Sequence, residues 1–340
     1  MLVKFTSRIS PNHVISYLYT KHKNGGHHML ELKYYSVHKI ENLKDFFLVS
    51  YVIIDDIYHK IIPDSIRFRR NYTESKLSDS EIITLAIVGE IHGISSEKAW
   101  FNYIHKNFKD LFPNLGHRTR FNRTRRNLES VIDAIRREIG NYLGYNYSDI
   151  YIVDSMPIPV CAFGRAHFSK RFKDISSYGY CASKKETYYG LKLHAAVTLD
   201  GYLAEIEITA ANVDDRTILW ELLSDVYQPI VLGDKGYIGD KIAQELKNEK
   251  NMTLLALKRN NSKNPYPKDL RNWISKHRRR IETTFSQLAE QFHINEVLAN
   301  SISGLKTRIQ SKILGHNISY FMNKCLGNQE IGQIKHLIFG

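Results

Sequence analysis

Ile150-Tyr151-Ile152-Val153-Asp154-Ser155-Met156-Pro157 is where the chain changes character. Upstream, apolar residues recur at helical spacing; from here on, β-branched and aromatic residues come in short blocks. Residues 150–160 read as a strand, 188–199 as a second and 202–209 as a third. The last two are joined through Asp200-Gly201, a strong hairpin signal. Asp214 reads as the cap of a helix reaching 226, and 229–232 as a short buried strand. Residues 240–249 then read as a helix, 252–257 as a strand and 270–292 as a long helix. The order strand, strand, strand, helix, strand, helix, strand, helix is that of an α/β fold of RNase H-like type, with a mixed five-stranded sheet and flanking helices.

Working back towards the start, the reading becomes all-α. Phe46, Phe47, Val49, Ile53, Ile57 and Ile61 line one face of a helix over 43–62, stopped by Pro63. Ser78-Asp79-Ser80-Glu81 is a capping box that starts a second helix near Asp79. Ser95-Ser96-Glu97 opens a third, with Trp100, Phe101, Ile104 and Phe108 on its inner face and Pro113 at its end. A fourth runs over 118–143. It begins with Arg118, Arg120, Arg123, Arg125 and Arg126, with no acid among them. Such a run is most often a solvated face. Here the arginines open a helix that follows a short helix and a turn, as a recognition helix does, so this half reads as a helix-turn-helix-like DNA-binding domain. The expected organisation is a poorly ordered leader (1–28), a helical DNA-binding domain (29–145), an RNase H-like catalytic domain (146–326) and a C-terminal tail (327–340). Met29, just after Gly25-Gly26-His27-His28, competes with Met1 as the natural start.

The 340 residues carry 48 Lys and Arg against 35 Asp and Glu, a net charge of +13 that favours a polyanionic partner, nucleic acid first. Cys161, Cys181 and Cys325 form no CxxC pair and no zinc-site spacing, which fits a reducing compartment. The most apolar stretch, 46–54, contains Ser50 and falls well short of the roughly 20 residues a membrane span needs. The expectation is a cytoplasmic protein without a membrane segment.

Three carboxylates stand where chemistry could use them. Asp154 interrupts an apolar strand, and Asp234 ends the run Pro229-Ile230-Val231-Leu232-Gly233, where open α/β sheets place ligands. Glu282 lies at the edge of the stripe Ile281, Phe285, Leu288 and Phe292, with Arg278 one turn earlier. Taken singly, each has an ordinary reading: a solvent-facing strand end, a turn or helix-cap aspartate, a surface i,i+4 ion pair. Together, in a basic chain with this element order, they suit Mg²⁺ or Mn²⁺, which bind through a few carboxylates and leave positions for phosphate and water. Lys192, His194 and Lys235 are basic groups near these acids, while Asn212 and Arg216 read as residues that cap and position the following helix. Arg165, His167, Lys170 and Arg171 fall in a polar loop after the first strand, within reach of DNA phosphates.

These motifs resemble bacterial insertion-sequence transposases with an Asp-Asp-Glu triad on an RNase H-like core, and among them the insertion-sequence family numbered nine-eighty-two. The resemblance covers residues 77–322 and rests on Val153-Asp154-Ser155-Met156-Pro157, Tyr189-Gly190-Leu191-Lys192-Leu193-His194, Asn212-Val213-Asp214-Asp215-Arg216, Gly233-Asp234-Lys235-Gly236-Tyr237 and Arg280-Ile281-Glu282-Thr283-Thr284-Phe285. It implies that Asp154, Asp234 and Glu282 are the catalytic, metal-binding triad. It further implies that the chain binds the terminal inverted repeats of an element, cuts the ends by metal-assisted hydrolysis and joins the freed 3′-OH to target DNA, as a homodimer in the transposition complex. In such a site two ions sit roughly 3.5 to 4 Å apart, Asp154 bridging them while Asp234 and Glu282 hold one each. Where relatives in the wider class space Tyr, Arg, Glu and Lys along the last helix, this chain has Ser275, Arg278, Glu282 and Ala289. Arg278 joins Arg118, Arg120, Arg123, Arg125 and Arg126 as an expected DNA contact. The alternatives are an RNase H-like nuclease or resolvase without strand transfer, and a non-catalytic DNA-binding descendant of a transposase.

Overall fold

The computed structural model describes residues 40–69, 75–145, 148–182, 184–226, 229–259 and 261–339. The expected leader, with the choice between Met1 and Met29, lies outside the described residues. The chain divides into two compact units, Met1–Arg136 with Leu314–Gly340, and Arg137–Ile313.

In the first unit, α1 (Leu43–Ile61) is capped by Asn42, whose side chain accepts from the N–H groups of Lys44 and Asp45. After α2 (Asp64–Arg67) comes α3 (Asp79–Ile91), which starts where the capping box predicts. Glu81 N donates to Ser78 Oγ at 3.1 Å, and Ser78 N donates to Glu81 Oε2 at 2.6 Å. Ser96 caps α4 (Glu97–Asn107). Phe47 of α1 stacks on Trp100 of α4 at 6.0 Å and meets Phe112 edge-on at 5.5 Å, while Trp100 Nε1 donates to Leu85 O at 3.0 Å. The single helix expected over 118–143 is two, α5 (Arg118–Asn127) and α6 (Glu129–Leu143). At the buried Leu128 the chain leaves helical geometry, and its N–H bonds to Arg125 O three residues back.

The second unit is built on a mixed sheet of β1 (Ile150–Pro159), β2 (Ser177–Cys181), β3 (Glu186–Val197), β4 (Leu203–Ala210), then, beyond α7 (Leu219–Leu222), β5 (Ile230–Gly233) and, beyond α8 (Asp240–Lys250), β6 (Thr253–Ala256). Its path is β2-β3-β1-β5-β6, with β4 paired to β3. The first three expected strands appear as β1, β3 and β4, antiparallel neighbours, and β5 and β6 add in parallel. This mixed α/β arrangement fits an RNase H-like core. Thr198 and Tyr202 close the β3–β4 hairpin over Leu199-Asp200-Gly201, with Gly201 at φ 88°, the left-handed position that a three-residue loop requires.

The structure corrects three expectations about this unit. The sheet has six strands, because β2 forms inside the segment read as a polar loop, after a 3₁₀ turn over Phe163–Phe168. The helix expected over 214–226 shrinks to the single turn α7. Asp214 Oδ1 accepts from Arg216 N at 2.9 Å and Thr217 Oγ1 donates to Asp214 O at 2.8 Å, local bonds that hold a turn ahead of α7. Asn212 does not cap a helix either; its Oδ1 accepts from Ser177 Oγ at 2.9 Å and ties β2 to the end of β4.

The long α9 (Lys268–Glu290) packs on β1 and β5 through a face that includes Ile274, Ile281, Thr284 and Leu288, and Thr284 Oγ1 donates to Gly201 O at 2.9 Å. No expectation covered α10 (Ile302–Cys325), which is followed by α11 (His336–Phe339). No helix of the described residues is long and apolar enough to cross a membrane.

Within α10, His316 is wholly buried, and burial pushes its imidazole down to about 4. The folded state therefore binds fewer protons than the unfolded one between about pH 6.5 and pH 4. Stability falls as pH drops through that window, by about 3 kcal/mol when complete. Urea unfolding at pH 7.5 and pH 4.5 is expected to show that loss, and His316→Asn to lessen it; an equal loss in the variant would assign the acid sensitivity elsewhere.

Candidate active site

The parallel register of β1 and β5 pairs Ile150 with Ile230, Tyr151 with Val231 and Ile152 with Leu232. The same offset carried two residues further sets Asp154 level with Asp234. β5 ends at Gly233 while β1 runs on to Pro159, so both acids stand where β1 loses its parallel neighbour. That is the carboxyl-end crevice in which open α/β sheets hold ligands.

Asp154 Oδ1 accepts from Ser155 N at 2.8 Å and Oδ2 from Arg278 Nη2 at 3.1 Å. Burial pushes its carboxyl up to about 6; the Ser155 N–H opposes this, the Asp234 charge adds to it and Arg278 offsets part. The side chain keeps 24% of its surface exposed, so a ligand can reach it. Asp234 begins a 3₁₀ turn over Lys235–Tyr237, with Oδ1 accepting from Gly236 N at 2.6 Å. Gly236 suits this turn, because a Cβ there would come 2.8 Å from Asp234 Oδ1. Lys235 is exposed on the same turn.

Arg278 reaches Asp154 from α9 rather than pairing with Glu282 on its own helix, and its Nε is buried without a partner. Glu282 lies one turn beyond Arg278, exposed, with no hydrogen bond or ion pair among the described residues. The structure thus brings Arg278 to Asp154 with Asp234 beside it, while Glu282 stands exposed one turn further along α9. Among the described residues, no group of three or more His, Cys, Asp or Glu converges as a metal site. By donor chemistry the Asp154 and Asp234 pair fits a hard divalent cation: two carboxylates whose charges repel, one of them raised by burial, gain from a shared positive charge.

A third acid beside them carried no role in the sequence reading. Asp215 Oδ1 accepts from Lys192 Nζ at 3.0 Å and stands 3.4 Å from Nδ1 of the buried His194, whose Nε2 is 2.8 Å from Thr209 Oγ1. Burial pushes His194 down to about 4, against the pull of Asp215. Tyr237 is buried with its hydroxyl unpartnered; burial raises it, and so do the charges of Asp215, Asp154 and Asp234. The signal for Asp215 was the second acid of Asn212-Val213-Asp214-Asp215-Arg216, opposite basic residues in β3.

The arginine-rich α5 presents its charges unevenly. Arg125 is buried at 4% exposure, donates to Glu97 Oε2 at 2.8 Å and lies over the Phe121 ring. Arg118 donates to Glu97 Oε1 at 3.1 Å, so these two arginines join α5 to α4. Arg125 is thereby removed from any surface that could meet DNA, while Arg120 and Arg123 are exposed and Arg126 is half-exposed.

Searches of curated proteins and of solved structures found no match to the chain. Residues 145–301, which hold the sheet, Asp154, Asp234 and Glu282, match the family model described as the transposase DDE domain, and that match supports a DDE transposase.

Proposed function

We propose that the chain is a DNA transposase of the insertion-sequence family numbered nine-eighty-two, which binds the terminal inverted repeats of its element, cuts the ends and joins each 3′-OH to target DNA. The observation that carries this reading is the level placement of Asp154 and Asp234 within a stretch that matches the transposase DDE domain. Asp154, Asp234 and Glu282 are the residues to hold Mg²⁺ or Mn²⁺. The cation, when bound, supplies Lewis acidity toward the scissile phosphate. Arg278 orients the Asp154 carboxylate and compensates its charge before the cation arrives. Lys192 and His194 fix Asp215 behind the paired acids. Hydrolysis frees a 3′-OH; that hydroxyl then attacks a target phosphodiester, whose own 3′ oxygen leaves as the new bond forms, so joining needs no covalent enzyme intermediate.

Residues 29–145 serve as the DNA-binding domain in this proposal, and the chain works as a homodimer on paired ends. Replacing Arg120, Arg123 and Arg126 together by Ala is expected to lower the log-log salt slope of terminal-repeat binding by up to about 0.9 per lost phosphate contact. Arg125→Ala is a separate case, because it breaks the pair with Glu97 and costs stability. An unchanged slope in the triple variant would move the DNA-binding face elsewhere.

The test of function is a supercoiled plasmid carrying the element's ends, incubated with the chain and Mg²⁺. Nicking followed by joining is expected, with neither in EDTA. Cutting without joining would favour the RNase H-like nuclease, and binding without cutting the non-catalytic descendant.

A further inference from the structure

Directly after β1, the chain exposes aromatic rings that no part of the proposed site uses. Phe163 is 54% exposed, Phe168 81%, Tyr178 50% and Tyr180 64%. Single exposed hydrophobes are ordinary on a soluble protein, but these fall within one short segment. The Phe163 and Tyr178 rings meet at 6.1 Å, which joins the 3₁₀ turn to β2. Tyr178 and Tyr180 alternate outward along β2, which pairs with β3. Arg165, Lys170, Arg171 and Lys173 are exposed between the rings, with Lys184 and Lys185 in the β2–β3 connection, and none of them is in an ion pair among the described residues. Asp174 is the one acid between residues 161 and 185.

We infer that this surface is a stacking platform for unpaired DNA bases, holding a single strand next to the cleavage site. Exposed rings interleaved with free cations are the means by which proteins hold single strands: cations track the phosphates while rings stack on bases of any sequence. A symmetric contact between two copies fits poorly, because it would set the same cations against one another. From Asp154 to the end of β1 is about 17 Å at roughly 3.3 Å per residue. The identity of the ligand as DNA rests on the proposed transposase function; the stacking chemistry does not.

The test uses the full chain, fluorescence anisotropy with oligothymidylate and with a blunt duplex, and a salt series. Phe163→Ala with Phe168→Ala is expected to weaken oligothymidylate binding about tenfold or more, with the salt slope unchanged and duplex affinity within about twofold. Lys170→Ala with Arg171→Ala should instead lower the single-strand slope by up to about 0.7 per contact. Phe168→Trp should preserve affinity and add tryptophan emission that oligothymidylate quenches. The proposal is overturned if the wild type does not bind oligothymidylate, if the phenylalanine variants bind it unchanged, or if duplex and single-strand affinities fall together. A shift from dimer to monomer in sedimentation of the phenylalanine variants would overturn it in favour of a contact between copies. Because binding is read without cleavage, a chain that stacks single strands but never cuts sinks the transposase reading alone, and one that cuts but does not stack sinks only the platform.

Discussion

Asp154→Asn and Asp234→Asn are each expected to lower strand cleavage about a thousandfold or more while leaving DNA affinity in place. Each swap keeps the shape and removes a cation-binding charge, and the stabilisation lost is several kcal/mol at about 1.4 kcal/mol per factor of ten. In Asp234→Asn the side-chain oxygen still accepts the Gly236 N–H, so the 3₁₀ turn stands. Asp154→Asn has a second signature. The folded-state pKa of Asp154 is raised to about 6, so its ionised form works against folding above that pH. Removing the charge should leave thermal stability at pH 8 unchanged or higher, even as activity vanishes. Nicking rates, anisotropy and melting curves on the same preparations check all three points. Near wild-type nicking by either variant would end the assignment.

Gly190→Ala is expected to cost about 3 kcal/mol or more. Gly190 faces Pro159 across the β1–β3 ladder and Ser177 across β2–β3, and its carbonyl accepts from Ala211 N at 3.2 Å. A Cβ there would come 2.3 Å from Ile158 O and 2.9 Å from both Pro159 Cα and Val160 N, all backbone atoms with no rotamer to yield. The strand carrying Asp154 must shift or the ladder must open. At 2–4 °C per kcal/mol for a unit of this size, the melting temperature should fall by about 10 °C. Gly164→Ala is the control, because nothing lies within 4 Å of its Cβ. Equal melting of the two variants would mean that β1 and β3 do not meet in this register.

Strands whose inward residues are apolar were legible within a residue or two, as β1, β3 and β5 show. β2 was not, because Tyr178 and Tyr180 face outward and the smaller Ser177, Gly179 and Cys181 alternate with them, the reverse of the usual pattern. α10 was hidden by its buried polar residues. Thr307, Ser311 and Ser319 donate to carbonyls four residues back, and Lys312 Nζ donates to Phe292 O at 2.5 Å. These bonds satisfy buried groups without leaving an apolar stripe to read.

The motif texts single out Asp154 and Asp234, but not the partners that hold these acids. Arg278 meets Asp154 across 124 residues of sequence, whereas helical spacing pointed to Glu282. Arg125 looks like its neighbours until Glu97, 28 residues upstream, is folded against it. Asp215 needed β3 to set Lys192 and His194 beside it. Spacing along a helix or strand is written in the sequence; contacts between elements are made by packing.

The proposal that Asp154, Asp234 and Glu282 share a bound cation is tested most directly by iron-mapped cleavage of the chain itself. Fe²⁺ takes the place of Mg²⁺ in the full-length chain with DNA bound, ascorbate and peroxide generate radicals at the ion, and the peptide fragments are sized. The proposed site predicts backbone cuts near residues 154, 234 and 282 together, suppressed by excess Mg²⁺ and absent in Asp154→Asn. Cuts confined to the neighbourhood of 154 and 234, or cuts that Mg²⁺ does not suppress, would contradict it.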